Sequence, residues 1–446
     1  MAAARERFDL IVRGGVCVTP GGVAPADVGV RAGRIAAIGA LDPAAAAEVI
    51  DAAGLHVLPG VIDTQVHFRE PGLEHKEDLA TGAAAAVAGG VTAVFEMPNT
   101  QPLTTTPEAL ADKLARAAGR MRCDHAFFMG ATAENVRHLA AYERLPGCAG
   151  IKVFMGSSTG DLLIEDDATL LAVLRAGTRR VPVHAEDEPR LRERKALIDR
   201  PDPALHPVWR DEEAALLATS RLLRLAREAG RRVHVLHVTT AQELELLAEH
   251  RDLATVEATP QHLTLAAPGC YERLGTLAQM NPPIRGPEHR AALWRAVDEA
   301  LVDVLGSDHA PHARGEKSAP YPRSPSGMPG VQTLLPLMLD HVHRGRLSLE
   351  RLADLTAAGP ARIYQIAGKG RIARGYDADL TLVDLKAERT ITAEWLRSKS
   401  GWSPFEGATV TGWPVATVLR GRAAMRDGEL LGAPTGRPVR FADTLT

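Results

Sequence analysis

The sequence is poor in cysteine and in long apolar runs. Its four cysteines are scattered, without a Cys-x-x-Cys pair, which fits reduced thiols better than a disulfide framework. No run approaches the roughly 18 apolar residues of a membrane span, and residues 1–10 lack the apolar core of a secretory signal. We therefore expect a cytoplasmic protein that does not enter a membrane.

An excess of positive charge is also absent. The formal net charge is −3, so nothing favours nucleic acid or an anionic membrane as a partner. Hydrophobic residues make up 45% and charged residues 24% of the chain, a balance that excludes extensive disorder. The 446 residues exceed one ordinary domain, but they suit an α/β barrel of about 250 residues with a smaller companion domain.

The middle of the chain alternates apolar, β-branched stretches with Ala- and Leu-rich periodic segments. Strands are predicted at 57–62, 91–97, 125–129, 150–154, 181–184, 233–238, 254–258 and 302–306. This alternation predicts an α/β fold, a (β/α)8 TIM-type barrel. An open doubly wound sheet is the alternative, but no Gly-x-Gly-x-x-Gly follows the first strand, so a dinucleotide-binding fold loses its main support.

Both ends of the chain read as short strands and turns. A hairpin is predicted around Ala32-Gly33-Arg34, and similar strands recur at 379–383 and 415–420. We predict a small β-sandwich-like domain formed by residues 1–55 and 370–446, with the barrel at 56–369; two unrelated tails are the alternative. Residues 313–329, rich in Pro, Ser and Gly, predict a long loop near an active site.

The candidate catalytic side chains share one position, because each lies at the C-terminal end of a different predicted strand. They are His67, Lys152, His184, His237 and Asp308. These strand ends form the mouth of a barrel, where catalysis takes place. Each residue alone has an ordinary explanation, such as a structural histidine or a helix cap, but the set favours zinc. His234 is predicted to face away from His237 and to be structural.

Lys152 lies in a strongly apolar strand, where an unpaired lysine is costly. One interpretation is a buried ion pair with an acidic neighbour. The other is carbamylation, in which a neutral amine adds carbon dioxide and becomes an anion that can bridge two metal ions. On the first strand, alternation places Asp63, Gln65, His67 and Arg69 on one face.

Longer motifs around these positions resemble the amidohydrolase superfamily, and within it the cyclic amidohydrolases, dihydroorotases most of all. The resemblance covers essentially the whole chain. Its most specific motifs are His67-Phe68-Arg69-Glu70-Pro71-Gly72, Met97-Pro98-Asn99-Thr100, Asn281-Pro282-Pro283-Ile284-Arg285 and Asp308-His309-Ala310-Pro311-His312. The resemblance implies a carbamylated Lys152 and one or two zinc ions held by Gln65, His67, Lys152, His184, His237 and Asp308.

The chain departs from the family pattern at two positions. The family has Asp-x-His-x-His-x-Arg on the first strand, whereas this chain has Gln65 at the first histidine. A carboxamide oxygen is a poorer zinc ligand than imidazole, so we expect the metal position fed by Gln65, His67 and Asp308 to be weakened or empty. Gln261 also stands where the dihydroorotase pattern often has histidine.

The resemblance implies a metal-dependent hydrolase that interconverts dihydroorotate and N-carbamoyl-L-aspartate in pyrimidine biosynthesis. A metal ion would activate water, Asp308 would act as general base and acid, and Arg69, Asn99 and His312 would bind the substrate carboxylate. The alternatives are an allantoinase or hydantoinase, and a catalytically silent partner of aspartate transcarbamoylase, which the loss of a histidine at Gln65 favours. We also expect a homo-oligomer.

Overall fold

The computed structural model describes residues 7–157 and 162–445, so most of the N-terminal segment tested for a signal core lies outside the described residues. In chain order the strands are β1 (Phe8–Arg13), β2 (Val16–Thr19), β3 (Gly22–Pro25), β4 (Asp27–Arg31), β5 (Arg34–Gly39), β6 (Ala46–Asp51), β7 (His56–Pro59), β8 (Val61–Val66), β9 (Val91–Glu96), β10 (Asp124–Gly130), β11 (Cys148–Phe154), β12 (Val181–His184), β13 (Val233–Val235), β14 (Ala254–Ala258), β15 (Val302–Leu305), β16 (Leu380–Thr390), β17 (Thr409–Leu419), β18 (Arg422–Arg426) and β19 (Glu429–Leu430).

The α-helices lie mainly between the strands of the central region. They are α1 (Leu79–Ala88), α2 (Pro107–Ala117), α3 (Leu139–Tyr142), α4 (Asp167–Arg175), α5 (Glu188–Arg194), α6 (His206–Trp209), α7 (Glu212–Ala229), α8 (Ala241–Ala248), α9 (Pro260–Thr264), α10 (Gly269–Leu274), α11 (Pro287–Asp298), α12 (Arg314–Lys317), α13 (Leu334–His343), α14 (Leu349–Ala353) and α15 (Gly359–Ile363). Within the described ranges, none of the helices is both long and apolar enough to cross a bilayer.

Strands β8 to β15 form one parallel sheet in sequential order. The sheet nearly closes, because Val66 at the end of β8 bridges to His309 beyond β15 and His67 N donates to His309 O at 2.7 Å. The predicted (β/α)8 barrel is therefore confirmed, and the open doubly wound sheet is wrong. Side-chain caps set the starts of the intervening helices, as at Asp78 before α1 and Thr240 before α8.

The predicted first barrel strand at 57–62 is wrong in its bounds. The structure divides this stretch into β7, which pairs with β2 and β16, and β8, which starts the barrel. Between them lies Gly60, where a Cβ would collide with Thr92 and Asp379. The apolar run is continuous because both strands are buried, so composition does not reveal the passage from one sheet to the other.

Strands from both ends of the chain share one sheet. Its order is β19-β18-β17-β16-β7-β2-β3, and a second sheet has the order β5-β4-β1-β6. The two sheets enclose a common apolar cluster that includes Leu10, Val30, Val57, Leu380 and Val418. The expected β unit built from both termini is thus confirmed in its sheets, and the two unrelated tails are excluded. The boundaries at 55/56 and 369/370 stay a prediction.

Aromatic side chains fill the barrel interior. Phe95 packs edge-on against Phe128, Tyr364 and Phe441, with ring centroids 5.3–6.0 Å apart. All four belong to one buried cluster. These packed rings fill the barrel interior, and the candidate site residues lie at the C-terminal strand ends.

Candidate metal centre

Six polar side chains converge on a narrow cavity at the C-terminal mouth of the barrel. The lining consists of Gln65, His67, Lys152, Phe154, His184, His237, Asn281, Asp308, Ala310, Ser326 and Gly327. The cavity offers about 20 Å³, which is room for about one water molecule. All six residues predicted as metal ligands therefore meet in one place, although they come from five different strands and the turns that follow them.

The six candidates fall into two groups of three. We call Lys152, His184 and His237 the lysine side, and Gln65, His67 and Asp308 the glutamine side. The two sides differ in how many of their buried polar atoms already have a hydrogen-bond partner within the protein.

On the lysine side, two imidazoles face each other. His184 Nδ1 lies 3.0 Å from His237 Nε2, and His237 Nδ1 is buried without a hydrogen-bond partner. Burial lowers the pKa of both rings, so both are neutral at physiological pH. Neutral imidazoles with converging nitrogen atoms are the form in which histidine binds zinc.

A buried ion pair supports His184 from behind. Its Nε2 lies 2.8 Å from Glu186 Oε2, and Arg210 Nη2 donates to the same oxygen at 2.5 Å. Burial alone would raise the pKa of Glu186, but Arg210 and His184 outweigh it and hold the pKa below its usual range. An ionised carboxylate behind a metal-binding histidine fixes the ring and raises its basicity.

Glu186 and Arg210 are the site residues that sequence reasoning missed. The signal for Glu186 was its position two residues after His184. Arg210 lies 24 residues further along the chain from Glu186, and nothing local marks it.

Lys152 is 1% exposed, and its Nζ has no hydrogen-bond partner. Nζ instead lies 4.5 Å from the ring centroid of Phe154. Burial lowers the pKa of this amine to about 7, although the charges of Asp308 and Glu257 act in the opposite direction. The alternative of a hydrogen-bonded ion pair is therefore not what the structure contains, and much of the amine is neutral near pH 7.

The glutamine side is already hydrogen-bonded within itself. Gln65 Nε2 donates to Asp308 Oδ1 at 3.1 Å, and His67 Nε2 lies 3.3 Å from the same oxygen. The other ring nitrogen of His67 lies 2.7 Å from Asn99 Oδ1. The carboxamide thus turns its nitrogen, which cannot bind a metal ion, towards Asp308, and Gln65 Oε1 is buried without a partner.

Two further carboxyl groups lie buried around the cavity. Burial, together with the nearby charge of Asp308, raises the pKa of Glu257 to about 8. Burial likewise raises the pKa of Asp63 to about 7, although Ser307 N donates to Asp63 Oδ1 at 3.0 Å. Asp63 therefore braces the backbone before Asp308, and it does not line the cavity.

The three predicted substrate-binding residues lie beside the cavity. Arg69 Nε donates to Pro311 O at 3.1 Å, and its Nη2 lies 3.3 Å from His312 Nε2. His312 Nε2 also approaches Ser326 O at 3.0 Å, and Asn99 contacts His67. Arg69 is not paired with its neighbour Glu70, whose carboxylate is paired with Arg120.

Several site residues have a left-handed backbone, which is strained for side chains other than glycine. The φ angles are 65° at Arg69, 36° at His237 and 43° at Asp308. A helix-capping role for Asp308 is not observed, because no helix begins there. The strained turns after the strands aim these side chains across the mouth.

Two residues that the sequence singled out lie elsewhere. His234 Nδ1 lies 2.8 Å from Thr255 Oγ1, and His234 does not line the cavity, as its opposite orientation predicted. Gln261 Nε2 donates to Ser307 O at 2.7 Å. Gln261 therefore supports the backbone next to Asp308.

The stretch 313–329 covers the cavity from one side. It is not a plain loop, because it contains α12. Lys317 at the end of α12 donates to Pro325 O at 2.7 Å, and the following residues Ser326 and Gly327 line the cavity. Because the cavity has room for about one water, a ring-shaped substrate requires displacement of this cover or its neighbours.

The residues present fit a metal ion on the lysine side. Among residues 7–157 and 162–445, no group of three His, Cys, Asp or Glu side chains could hold a metal ion. His184 and His237 therefore need a third ligand of another kind. The unpartnered amine of Lys152 would meet that need if it carried an anionic carbamate.

Comparisons with known proteins agree with this geometry. The model of the amidohydrolase family matches residues 56–424. Among curated proteins, a dihydroorotase of Halobacterium salinarum is 42% identical over 390 residues, covering 87% of this chain and 90% of the relative. An allantoinase of Rubrobacter xylanophilus is 40% identical over 451 residues, covering 97% and 98%.

A solved structure has the same fold over nearly the whole chain. The L-hydantoinase (dihydropyrimidinase) from Arthrobacter aurescens superposes with a TM-score of 0.92 at 32% identity, covering 97% of this chain and 100% of that one. The similar proteins thus include three kinds of enzyme named for cyclic amide substrates.

Proposed function

The chain belongs to the amidohydrolase family and is a hydrolase of cyclic amide bonds, and from this premise we propose that it interconverts dihydroorotate and N-carbamoyl-L-aspartate. This reaction is the dihydroorotase step of pyrimidine biosynthesis. The proposal rests on the charge that the site can recognise.

Arg69 is the observation that carries the proposal. It is 1% exposed, and among the described residues no carboxylate forms an ion pair with it. Burial lowers its pKa to about 10, so the guanidinium remains a cation at neutral pH. Lys76 Nζ lies 3.2 Å from His312 Nδ1 but also 3.2 Å from Glu316 Oε1, so its charge is balanced by a carboxylate and that of Arg69 is not. A buried cation without a paired carboxylate favours a substrate that carries one, as dihydroorotate does, over neutral allantoin or hydantoin.

Zinc is the metal that we propose for the centre, with Lys152, His184 and His237 as its better ligands and Lys152 carbamylated. When bound, such a metal supplies an acidified water and polarises a carbonyl oxygen.

The chain's own residues provide proton transfer and positioning. Asp308, oriented by Gln65 and His67, takes a proton from the attacking water and returns it to the ring nitrogen that leaves. Arg69 holds the substrate carboxylate with a planar pair of donors. Asn99 holds His67, and the 313–329 cover excludes bulk water.

The test is hydrolysis of dihydroorotate, allantoin and hydantoin by purified, zinc-analysed protein. We expect turnover of dihydroorotate, with a KM that rises about 10- to 100-fold in Arg69→Lys, since the charge remains but the fork is lost. Zinc content should be unchanged. Arg120→Lys is the matched control, because Arg120 pairs with Glu70 outside the cavity.

An allantoinase or hydantoinase activity is the second candidate. It is supported by the allantoinase relative, which aligns with 97% of the chain, and by the hydantoinase structure. Preferred turnover of allantoin or hydantoin, with an unchanged KM in Arg69→Lys, would favour this candidate. No turnover of any of the three by zinc-loaded protein would favour the silent partner of aspartate transcarbamoylase.

A further inference from the structure

A second polar cavity lies at the opposite end of the barrel from the candidate metal centre. It is lined by the turn between β4 and β5, by Asp124 at the start of β10, and by residues near the C-terminus. Its volume is about 310 Å³. The cavity is unusual for its positive charge, since its cationic side chains are Arg34, Lys369, Arg420, Arg437 and Arg440.

Two of these five cations, Lys369 and Arg420, form an inner layer whose charges are already paired with carboxylates. Lys369, whose side chain is 4% exposed, bonds to Asp124 at 2.7 Å and to Asp379. Arg420 pairs with Asp124 through its guanidinium, and its backbone N donates to Asp379 Oδ1 at 2.8 Å. These two carboxylates are thus committed to Lys369 and Arg420, so neither is available to an outer arginine.

The other three cations, Arg34, Arg437 and Arg440, form an outer layer, and among the described residues none of them has a carboxylate within hydrogen-bond distance. Arg34 and Arg440 both point at Asp377 Oδ1, but at 4.0 Å and 3.8 Å, which is beyond hydrogen-bond distance. Asp377 is shared further with Lys369 at 3.4 Å. Arg437 is exposed, and in the described part of the chain its guanidinium has neither a hydrogen bond nor an ion pair.

Some other exposed arginines of this protein have a carboxylate of their own. Arg227 bonds to Asp252 at 2.6 Å, and Arg175 bonds to Glu228 at 3.0 Å. Each of these cations has its own carboxylate. Of the outer arginines, Arg34 and Arg440 share one distant carboxylate, and Arg437 is paired with none among the described residues, so their donors remain available to an anion.

We propose that this cavity binds a small phosphate-bearing anion with more than one negative charge. Guanidinium groups bind phosphate oxygens with two parallel hydrogen bonds, and they do so best in groups. A neighbouring cavity of about 360 Å³ shares Gly33, Arg420 and Arg437 with the first. The combined space admits a ligand larger than inorganic phosphate.

Binding should stabilise the folded protein. Arg34 lies at the β4–β5 turn, whereas Arg437 and Arg440 lie in the C-terminal segment that bridges to β10 of the barrel through Pro438 and His125. An anion held between them ties these parts together and binds only the folded state, which raises the melting temperature.

The experiment uses metal-loaded protein and inorganic phosphate as the probe, at ionic strength held constant with chloride. Calorimetric titration and melting temperature are measured for the unaltered protein and for Arg437→Gln with Arg440→Gln. We expect saturable binding with a rise in Tm, weakened about tenfold or more in the double variant. Neither arginine has a close partner in the fold, so the variant should stay folded, which its Tm without phosphate would verify.

Arg227→Gln is the matched control, because it removes an exposed arginine far from the cavity and should leave phosphate binding unchanged. Two results would overturn the proposal: no saturable binding to the unaltered protein, or binding of equal strength in the double variant. The second result would place the phosphate elsewhere, for example at the metal centre. Both results are independent of which cyclic amide the enzyme hydrolyses.

Discussion

The two sides of the metal centre differ in what their polar atoms lack. On the lysine side, Lys152 Nζ and His237 Nδ1 are buried without partners. On the glutamine side, Gln65 and His67 both contact one oxygen of Asp308, and of these three side chains only Gln65 has a buried atom without a partner, Oε1. Unpartnered buried polar groups are costly, so the lysine side gains more when a ligand arrives.

The support behind the two sides differs as well. His184 is backed by an ionised carboxylate that Arg210 holds in place, whereas His67 is backed by the neutral carboxamide of Asn99. A histidine that is hydrogen-bonded to a carboxylate is a stronger metal ligand than one that is hydrogen-bonded to a neutral amide. We therefore propose that the lysine side holds a metal ion more tightly and that the glutamine side mainly positions Asp308.

The largest effect should come from Lys152→Ala. Two neutral imidazoles alone are a weak zinc site, so the variant should lose its metal and nearly all activity, by about a thousandfold or more if zinc supplies several kcal/mol of transition-state stabilisation. Metal analysis and kcat measure both losses. Added acetate or propionate, which can occupy the vacated space as an anion, should restore part of the metal. Full zinc content in Lys152→Ala would show that the lysine is not a ligand.

The next effect should come from Glu186→Gln. Loss of the carboxylate behind His184 should weaken zinc binding about 10- to 100-fold, measured by competition with a chelator. Asn99→Ala is the matched change on the other side and should alter zinc affinity less. Because Glu186→Gln also leaves Arg210 without its charge partner, Tm must be recorded alongside. If Glu186→Gln and Asn99→Ala lost zinc affinity equally, the two sides would not differ in how strongly they hold a metal ion.

The sequence was informative where chemistry is local. The position at the end of a predicted strand identified five candidates, and all five line one cavity: His67, Lys152, His184, His237 and Asp308. Partners that lie far apart along the chain could not be predicted from the sequence. Arg210 is such a case, since only folding brings it to Glu186. The orientation of the Gln65 carboxamide was equally inaccessible, because it depends on the acceptor that Asp308 presents.

The fold shows the same limit. Alternation of strands and helices was enough for the barrel, whose strands β12 and β14 have the predicted bounds. The division between β7 and β8 could not be predicted, because a single apolar run contributes one strand to each of two sheets. Only the pairing partners of each half separate them.

A smaller effect is expected from Gln65→His. An imidazole at this position adds a nitrogen ligand to the glutamine side, so bound zinc should rise from fewer than two per chain towards two, and kcat should increase. Gln65→Asn is the control, since it keeps the amide but shortens the side chain. Tight binding of two zinc ions by the unaltered protein, with Gln65 oxygen at about 2.0–2.2 Å from one of them, would refute the weakening argument.

The smallest effect concerns pH. Only the neutral amine of Lys152 adds carbon dioxide, and burial lowers its pKa to about 7. Protonation below that pH should therefore slow reactivation of apo-protein by zinc, by about tenfold per pH unit at fixed dissolved carbon dioxide. Above pH 8 the rate should level off. A rate that keeps rising up to pH 10 would indicate a lysine with its ordinary pKa.

The most direct test is anomalous X-ray scattering at the zinc edge from crystals grown with zinc and bicarbonate. We predict the strongest peak beside His184 and His237, extra density on Lys152 Nζ for a carbamate, and a weaker or absent peak beside Gln65. Equal peaks on both sides, or a single peak between His67 and Asp308 with an unmodified Lys152, would contradict this prediction.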